Sequence, residues 1–140
     1  MKVFFDTNVY VAEALLGEAA VRMFDATVQA NWRIHLCRQI LDEIEQVLVE
    51  QLGIPRRLAA LTQAWAVRRA ILTEPGTSPH NVPDDPKDSP ILQAAIAAGV
   101  DYLVTNDQHL LSLHPYESLQ ILSMTDYHGL LVSQGLLKFN

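Results

Sequence analysis

The chain opens on an apolar run, Lys2-Val3-Phe4-Phe5, that stops at Asp6, and a second run, Tyr102-Leu103-Val104, stops at Thr105-Asn106-Asp107. Both read as short strands with carboxylates just past their ends. Between them, helical spacing of apolar residues takes over. Val9 to Leu16 reads as a short helix ended by Gly17, and Glu18 to Ala30 as another. Ile34 to Cys37 reads as a second strand, entered by Trp32. From Gln39 to Leu52 the residues Ile40, Leu41, Ile44, Val47, Leu48 and Leu52 recur at helical intervals, and Gly53 supplies a stop. Pro55 suits the first turn of a further helix, carried through Leu58, Leu61, Trp65 and Val67 to about Thr73.

Residues 74 to 90 break this rhythm with Pro75, Gly76, Pro79, Pro83, Pro86 and Pro90, and predict a long loop of the functional or mobile kind. Ile91 to Ala98 follows as a buried helix closed by Gly99. Strand Tyr102 to Thr105, helix Gln108 to Leu113, strand Leu119 to Leu122 and a helix near Asp126 to Gln134 complete the pattern. Strands alternating with helices predict a three-layer α/β/α sandwich around a central parallel sheet. At 140 residues the default is one domain spanning 1–140.

A single cysteine, Cys37, excludes an internal disulfide and suits a reducing cytoplasm. No apolar run approaches the ~20 residues of a membrane span. Ten basic against sixteen acidic side chains give −6, which argues against binding nucleic acid by bulk charge. Setting aside four carboxylates for one metal site takes −6 to −2, so a nucleic-acid substrate is not excluded.

Four acids are candidates for chemistry: Asp6, Glu43, Asp88 and Asp107. Each has a plainer reading. Asp6 suits a turn whose carboxylate bonds the Asn8 backbone, and Asp107 and Asp88 suit helix starts. Asp84 and Asp85 crowd the same loop as Asp88. On the helix through Ile44, Glu43 and Glu45 flank the apolar stripe on opposite edges, and periodicity does not choose between them. Ligands at the carboxyl ends of parallel strands sit where strand order reverses, and clustered carboxylates repel one another unless a cation is present. Oxygen donors favour Mg²⁺ or Mn²⁺. Zinc is disfavoured, because His35, His80, His109, His114 and His128 lack ligand spacing with Cys37.

Taken together, Asp6-Thr7-Asn8 after a first strand, Glu43-Ile44-Glu45-Gln46-Val47-Leu48 on a helix, Asp88 heading an Ala-rich helix and Leu103-Val104-Thr105-Asn106-Asp107 resemble the PIN-domain ribonucleases. Asp85-Pro86-Lys87-Asp88 with Gly99 to Asp107 and Leu110-Leu111 is similar to the branch that serves as toxins of toxin–antitoxin systems. The resemblance implies a Mg²⁺- or Mn²⁺-dependent endoribonuclease with Asp6, Glu43, Asp88 and Asp107 as catalytic, metal-binding acids. It prefers Glu43 over Glu45, assigns Asn8 and Thr105 to orienting carboxylates or water, and makes Asp85 an accessory acid. It leaves Asn106 in a variable slot. RNA is the implied substrate, an antitoxin the implied partner, and a homodimer the implied assembly.

Arg57 and Arg68, eleven apart on one helix, are candidates for RNA phosphates, a partner's acids, or simple solvation. Among rival readings, a receiver-like phosphoacceptor domain needs a basic residue at a late strand end, which Leu119 to Met124 lacks. A haloacid-dehalogenase-type phosphatase needs a second aspartate two positions after Asp6, where Asn8 stands. A non-catalytic domain of the same fold is opposed by the presence of all four acids.

Overall fold

A computed structural model describes residues 1–74 and 89–138. Five strands form one parallel sheet: β1 (Lys2–Phe5), β2 (Arg33–Leu36), β3 (Ala70–Leu72), β4 (Tyr102–Val104) and β5 (Gln120–Leu122), in the order β3-β2-β1-β4-β5. Seven α-helices flank it among the described residues: α1 (Thr7–Leu16), α2 (Glu18–Gln29), α3 (Arg38–Glu45), α4 (Arg56–Arg69), α5 (Ser89–Ala98), α6 (Gln108–Leu111) and α7 (Met124–Ser133). None is long and apolar enough to cross a membrane.

β1 is central because it is apolar on both sides. Val3, Phe4 and Phe5 are fully buried, as a strand covered on both faces must be. Its register pairs Val3 with Ile34 and Tyr102, and Phe5 with Val104, so by strand alternation these share a face. That face carries an aromatic cluster in which Phe5 lies 4.6 Å from Phe24 of α2 and 5.5 Å, edge-on, from Tyr127 of α7. Trp32 stacks on Tyr102 at 5.9 Å. Phe4, Leu103 and Ile121 point the other way. Right-handed crossovers that step from β1 to β3 in one direction and from β3 to β5 in the other put their helices on opposite faces. The reversal falls between β1 and β4.

Two expectations from the pattern need correction. The helix anticipated to run from Pro55 to about Thr73 ends at Arg69, and Ala70-Ile71-Leu72 pairs with Ile34-His35-Leu36 as an edge strand. Three apolar residues fit either state, and the ladder to β2 decides. The helix expected from Gln39 to Leu52 is α-helical only to Glu45 and continues as a π-helix over Gln46–Gln51, closed by Leu52 N–H donating to Val47 O. Smaller shifts are of one or two residues, as where Ser123 caps Asp126 N–H and starts α7 at Met124. The segment 75–88, with Asp84, Asp85 and Asp88, lies outside the described residues.

α1 and α4 are tied by an ion pair between Glu13 and Arg69, two-pronged at 2.6 and 2.7 Å and nearly closed off from water. The guanidinium also lies 4.2 Å from the Phe24 ring centre. A pair this enclosed contributes little net stability but is costly to break from one side. Arg69→Ala therefore destabilises the fold by ~3–5 kcal/mol in urea titration. The double variant Glu13→Leu/Arg69→Met recovers much of the loss; an additive double loss would show that the ion pair is not what holds α4 to α1.

Candidate functional site

Asp6 leaves β1 directly into α1, where it is the N-cap: its Oδ1 accepts from Thr7 N–H at 2.7 Å. The contact expected with the Asn8 backbone is replaced by one with the Asn8 side chain, whose amide donates to Oδ2 at 3.3 Å. The Thr105 hydroxyl, from the end of β4, donates to the same Oδ2 at 2.7 Å. It also accepts from Asp107 N–H at 3.0 Å. One hydroxyl thus joins the two acidic strand ends, reinforced by the ladder bond from Asp6 N–H to Val104 O.

Asp107 caps α6 through His109 N–H at 2.8 Å, and its carboxylate stays partly exposed. Capping and facing a ligand are compatible here, because one carboxylate has more acceptor sites than a cap consumes. Glu43 reaches the same place from α3, where it accepts from the Thr7 hydroxyl at 2.6 Å and from Gln39 Nε2 at 2.8 Å. Glu45, its rival, points outward to an exposed pair with Arg56 at 2.7 Å. Tertiary contact thus brings Glu43, and not Glu45, to the cleft.

Asp6, Glu43 and Asp107 line a cleft of about 250 Å³ with Thr7, Asn8, Val11 and Val47. It opens at the carboxyl edge of the sheet where strand order reverses. Thr7 and Gln39 belong to this network although nothing in their spacing marked them. Asn106 is also engaged: its N–H donates to Asn8 Oδ1 and its own Oδ1 accepts from Met124 N–H, both at 3.1 Å. Arg57 and Arg68 are exposed on α4; Arg68 and Arg38 line a separate groove with Asp42 and Gln63.

Burial raises the Asp6 carboxyl to about 6, against the lowering effect of the Thr105 and Thr7 hydrogen bonds, and the charges of Glu43 and Asp107 push it further up. The cleft is short of positive charge. Among the described residues lining it, the groups able to bind a cation are oxygens of Asp6, Thr7, Asn8, Glu43 and Asp107, which suits a hard divalent cation. Among the described residues no three carboxylate, histidine or cysteine side chains are grouped closely enough to hold an ion unaided. Asp85 and Asp88 lie outside those residues.

The model for the PIN domain matches residues 2–109, and the chain belongs to that family. No curated protein matches it in sequence. Among solved structures it is similar in fold to a chain of VapBC2 from Rickettsia felis, crystallised bound to a DNA fragment from their promoter. That match has a TM-score of 0.65 and 14% identity, and covers 88% of this chain and 98% of that one.

Burial favours the protonated form of Asp6 in the folded protein. The folded state binds the proton more tightly than the unfolded one, so the Asp6 contribution to stability is fully present below 3.8 and is lost as pH rises through about 6. The shift corresponds to about 3 kcal/mol at neutral pH. Asp6→Asn flattens this part of the pH–stability curve between pH 4 and 6.5 in metal-free buffer. Parallel curves for parent and variant would mean that Asp6 is not strained by its burial.

Proposed function

We propose that this chain is a divalent-cation-dependent endoribonuclease and the toxin of a toxin–antitoxin pair. The observation that carries the reading is the convergence of Asp6, Glu43 and Asp107, from three distant stretches of chain, on one cleft. Family membership and the fold likeness to a VapBC2 chain support it. Asp6, Glu43, Asp107 and Asp88 are the residues that would hold Mg²⁺ or Mn²⁺, with Asp85 as accessory. Such an ion supplies acidification of a water nucleophile and neutralisation of charge growing on the phosphodiester.

The chain's own groups prepare that chemistry. Thr105, Asn8 and Thr7 N–H fix both oxygens of Asp6, so its carboxylate does not reorient when charge changes. Thr7 and Gln39 hold Glu43 from both oxygens. Asp107 stays partly exposed where Asp6 is buried, so its carboxylate is open to an arriving substrate phosphate. Among the described residues no Ser, Cys or His lines the cleft, His109 standing beside it at 3.5 Å from Asp107, and this favours direct attack by water with 5′-phosphate and 3′-hydroxyl products.

A protein partner is supported by α4, which exposes Leu58, Leu61 and Trp65 along one stripe. Leu61 and Trp65 border a groove of about 270 Å³ with Val21, Ala14 and Asp25. That surface suits an antitoxin segment of apolar and basic residues, or a second copy in a homodimer. The phosphoacceptor reading is weaker, since β5 runs into Ser123 and Met124 with no basic residue.

Cleavage of a mixed RNA pool is expected to require Mg²⁺ or Mn²⁺ and to stop in EDTA. Asp6→Asn, Glu43→Gln and Asp107→Asn should abolish it, and Thr105→Val, which keeps the volume and removes the bridging hydroxyl, should slow it ~10–100-fold. Variants that cut as fast as the parent, or products ending in 2′,3′-cyclic phosphate, overturn the reading. Independently of turnover, Mn²⁺ should raise the melting temperature of the parent at pH 7.5 more than at pH 5, and of Asp6→Asn at neither.

A further inference from the structure

A further cavity, of about 270 Å³, lies between the N-terminal halves of α2 and α7, lined by Ala19, Met23, Met124, Thr125 and His128. Its walls are Ala19, Met23 and Met124, while Thr125 and His128 bring polar atoms. Met23 is buried, Met124 and His128 are half-buried, and Thr125 is exposed. Nothing in the catalytic reading uses these residues.

Its position is set by the sheet. α7 begins just past the end of β5, and β1, β4 and β5 are successive neighbours that pair Phe5 with Val104 and Val104 with Leu122. Two strand spacings of about 4.8 Å put the start of α7 roughly 10 Å from Asp6. A hydrogen-bonded path spans that gap: the Asn8 amide reaches Asp6 Oδ2, Asn106 N–H reaches Asn8 Oδ1, and Met124 N–H reaches Asn106 Oδ1. Asn106 thereby fixes the cavity's Met124 wall relative to the acidic cleft.

We propose that this cavity receives one unstacked nucleobase of the single-stranded RNA whose backbone crosses the acidic cleft. The inference rests on the ribonuclease reading for its occupant and adds the place where sequence is read. Ten ångströms corresponds to about one to three nucleotides, because a stacked strand rises about 3.4 Å per phosphate and an extended one more. The volume falls below the roughly 300–1,000 Å³ of pockets that take drug-sized ligands, so it suits a single planar base. RNA is read in sequence where bases are splayed out, stacked on flat side chains and hydrogen-bonded at their edges. The His128 ring and Thr125 hydroxyl supply those contacts, while the thioether of Met124 packs on a base face.

The test measures binding and cutting separately. Fluorescent RNA hexamers uniform in A, C, G or U are titrated by anisotropy at fixed salt in EDTA, against the parent and the Met124→Ala and His128→Ala variants. The parent should prefer one base, and both variants should lose ~5- to 100-fold of affinity for that hexamer, levelling the series while the circular-dichroism spectrum stays that of the parent. Equal binding of all four hexamers by the parent, or a preference that survives in both variants, overturns the proposal. The same hexamers are then incubated with Mn²⁺. A base preference that both variants level, without cleavage, retains the pocket and removes the nuclease; cleavage with a preference unchanged by both variants does the reverse.

Discussion

A carboxylate is buried where the two central strands end, and one threonine hydroxyl keeps it there. Thr105 donates to Asp6 and accepts from Asp107 N–H, so the carboxyl edges of β1 and β4 are held by the same atom that orients the buried acid. Without that bridge Asp6 would keep the Thr7 N–H and the Asn8 amide but lose its hydroxyl donor, leaving a buried charge less fully compensated. With it, the acid is kept in place but remains electrostatically costly, since Glu43 and Asp107 add to the effect of burial. The fold carries this cost at the point where an ion would relieve it.

The surrounding architecture serves that point. The aromatic cluster of Phe5, Tyr10, Phe24 and Tyr127 anchors β1 beneath Asp6, and the Glu13–Arg69 pair fixes α4 against the far end of α1. α1 therefore has its N-cap acid, Asp6, at the cleft and its last turn locked to another helix. α3 is held beside it by Thr7 and Glu43. Rigid elements at both ends of the site hold its carboxylates in one fixed arrangement.

Much of this was readable before any coordinates. The strands β1, β2, β4 and β5, the α1–α2 break at Gly17, the buried α5 and the placement of Asp6 and Asp107 at strand ends all follow from local pattern. Gly17 adopts φ +73, which side-chain-bearing residues rarely do. β3 was missed because Ala70-Ile71-Leu72 continues a helical apolar pattern, and only the pairing to β2 marks it as a strand. The π-helical turn after Glu45 leaves no periodic signature in so short a stretch.

Local order along the chain thus determined which residues are apolar, where elements start, and that carboxylates follow two strands. It could not assign Glu43 over Glu45, since both flank the same stripe; contact with Thr7 on another helix makes that choice. Nor could it show that Thr7, Gln39 and Asn106 join the site, because a hydroxyl or amide carries no period of its own. Hydrophobic burial is encoded by spacing and therefore legible, whereas hydrogen-bond partnership depends on which distant segments the packed sheet brings within three ångströms.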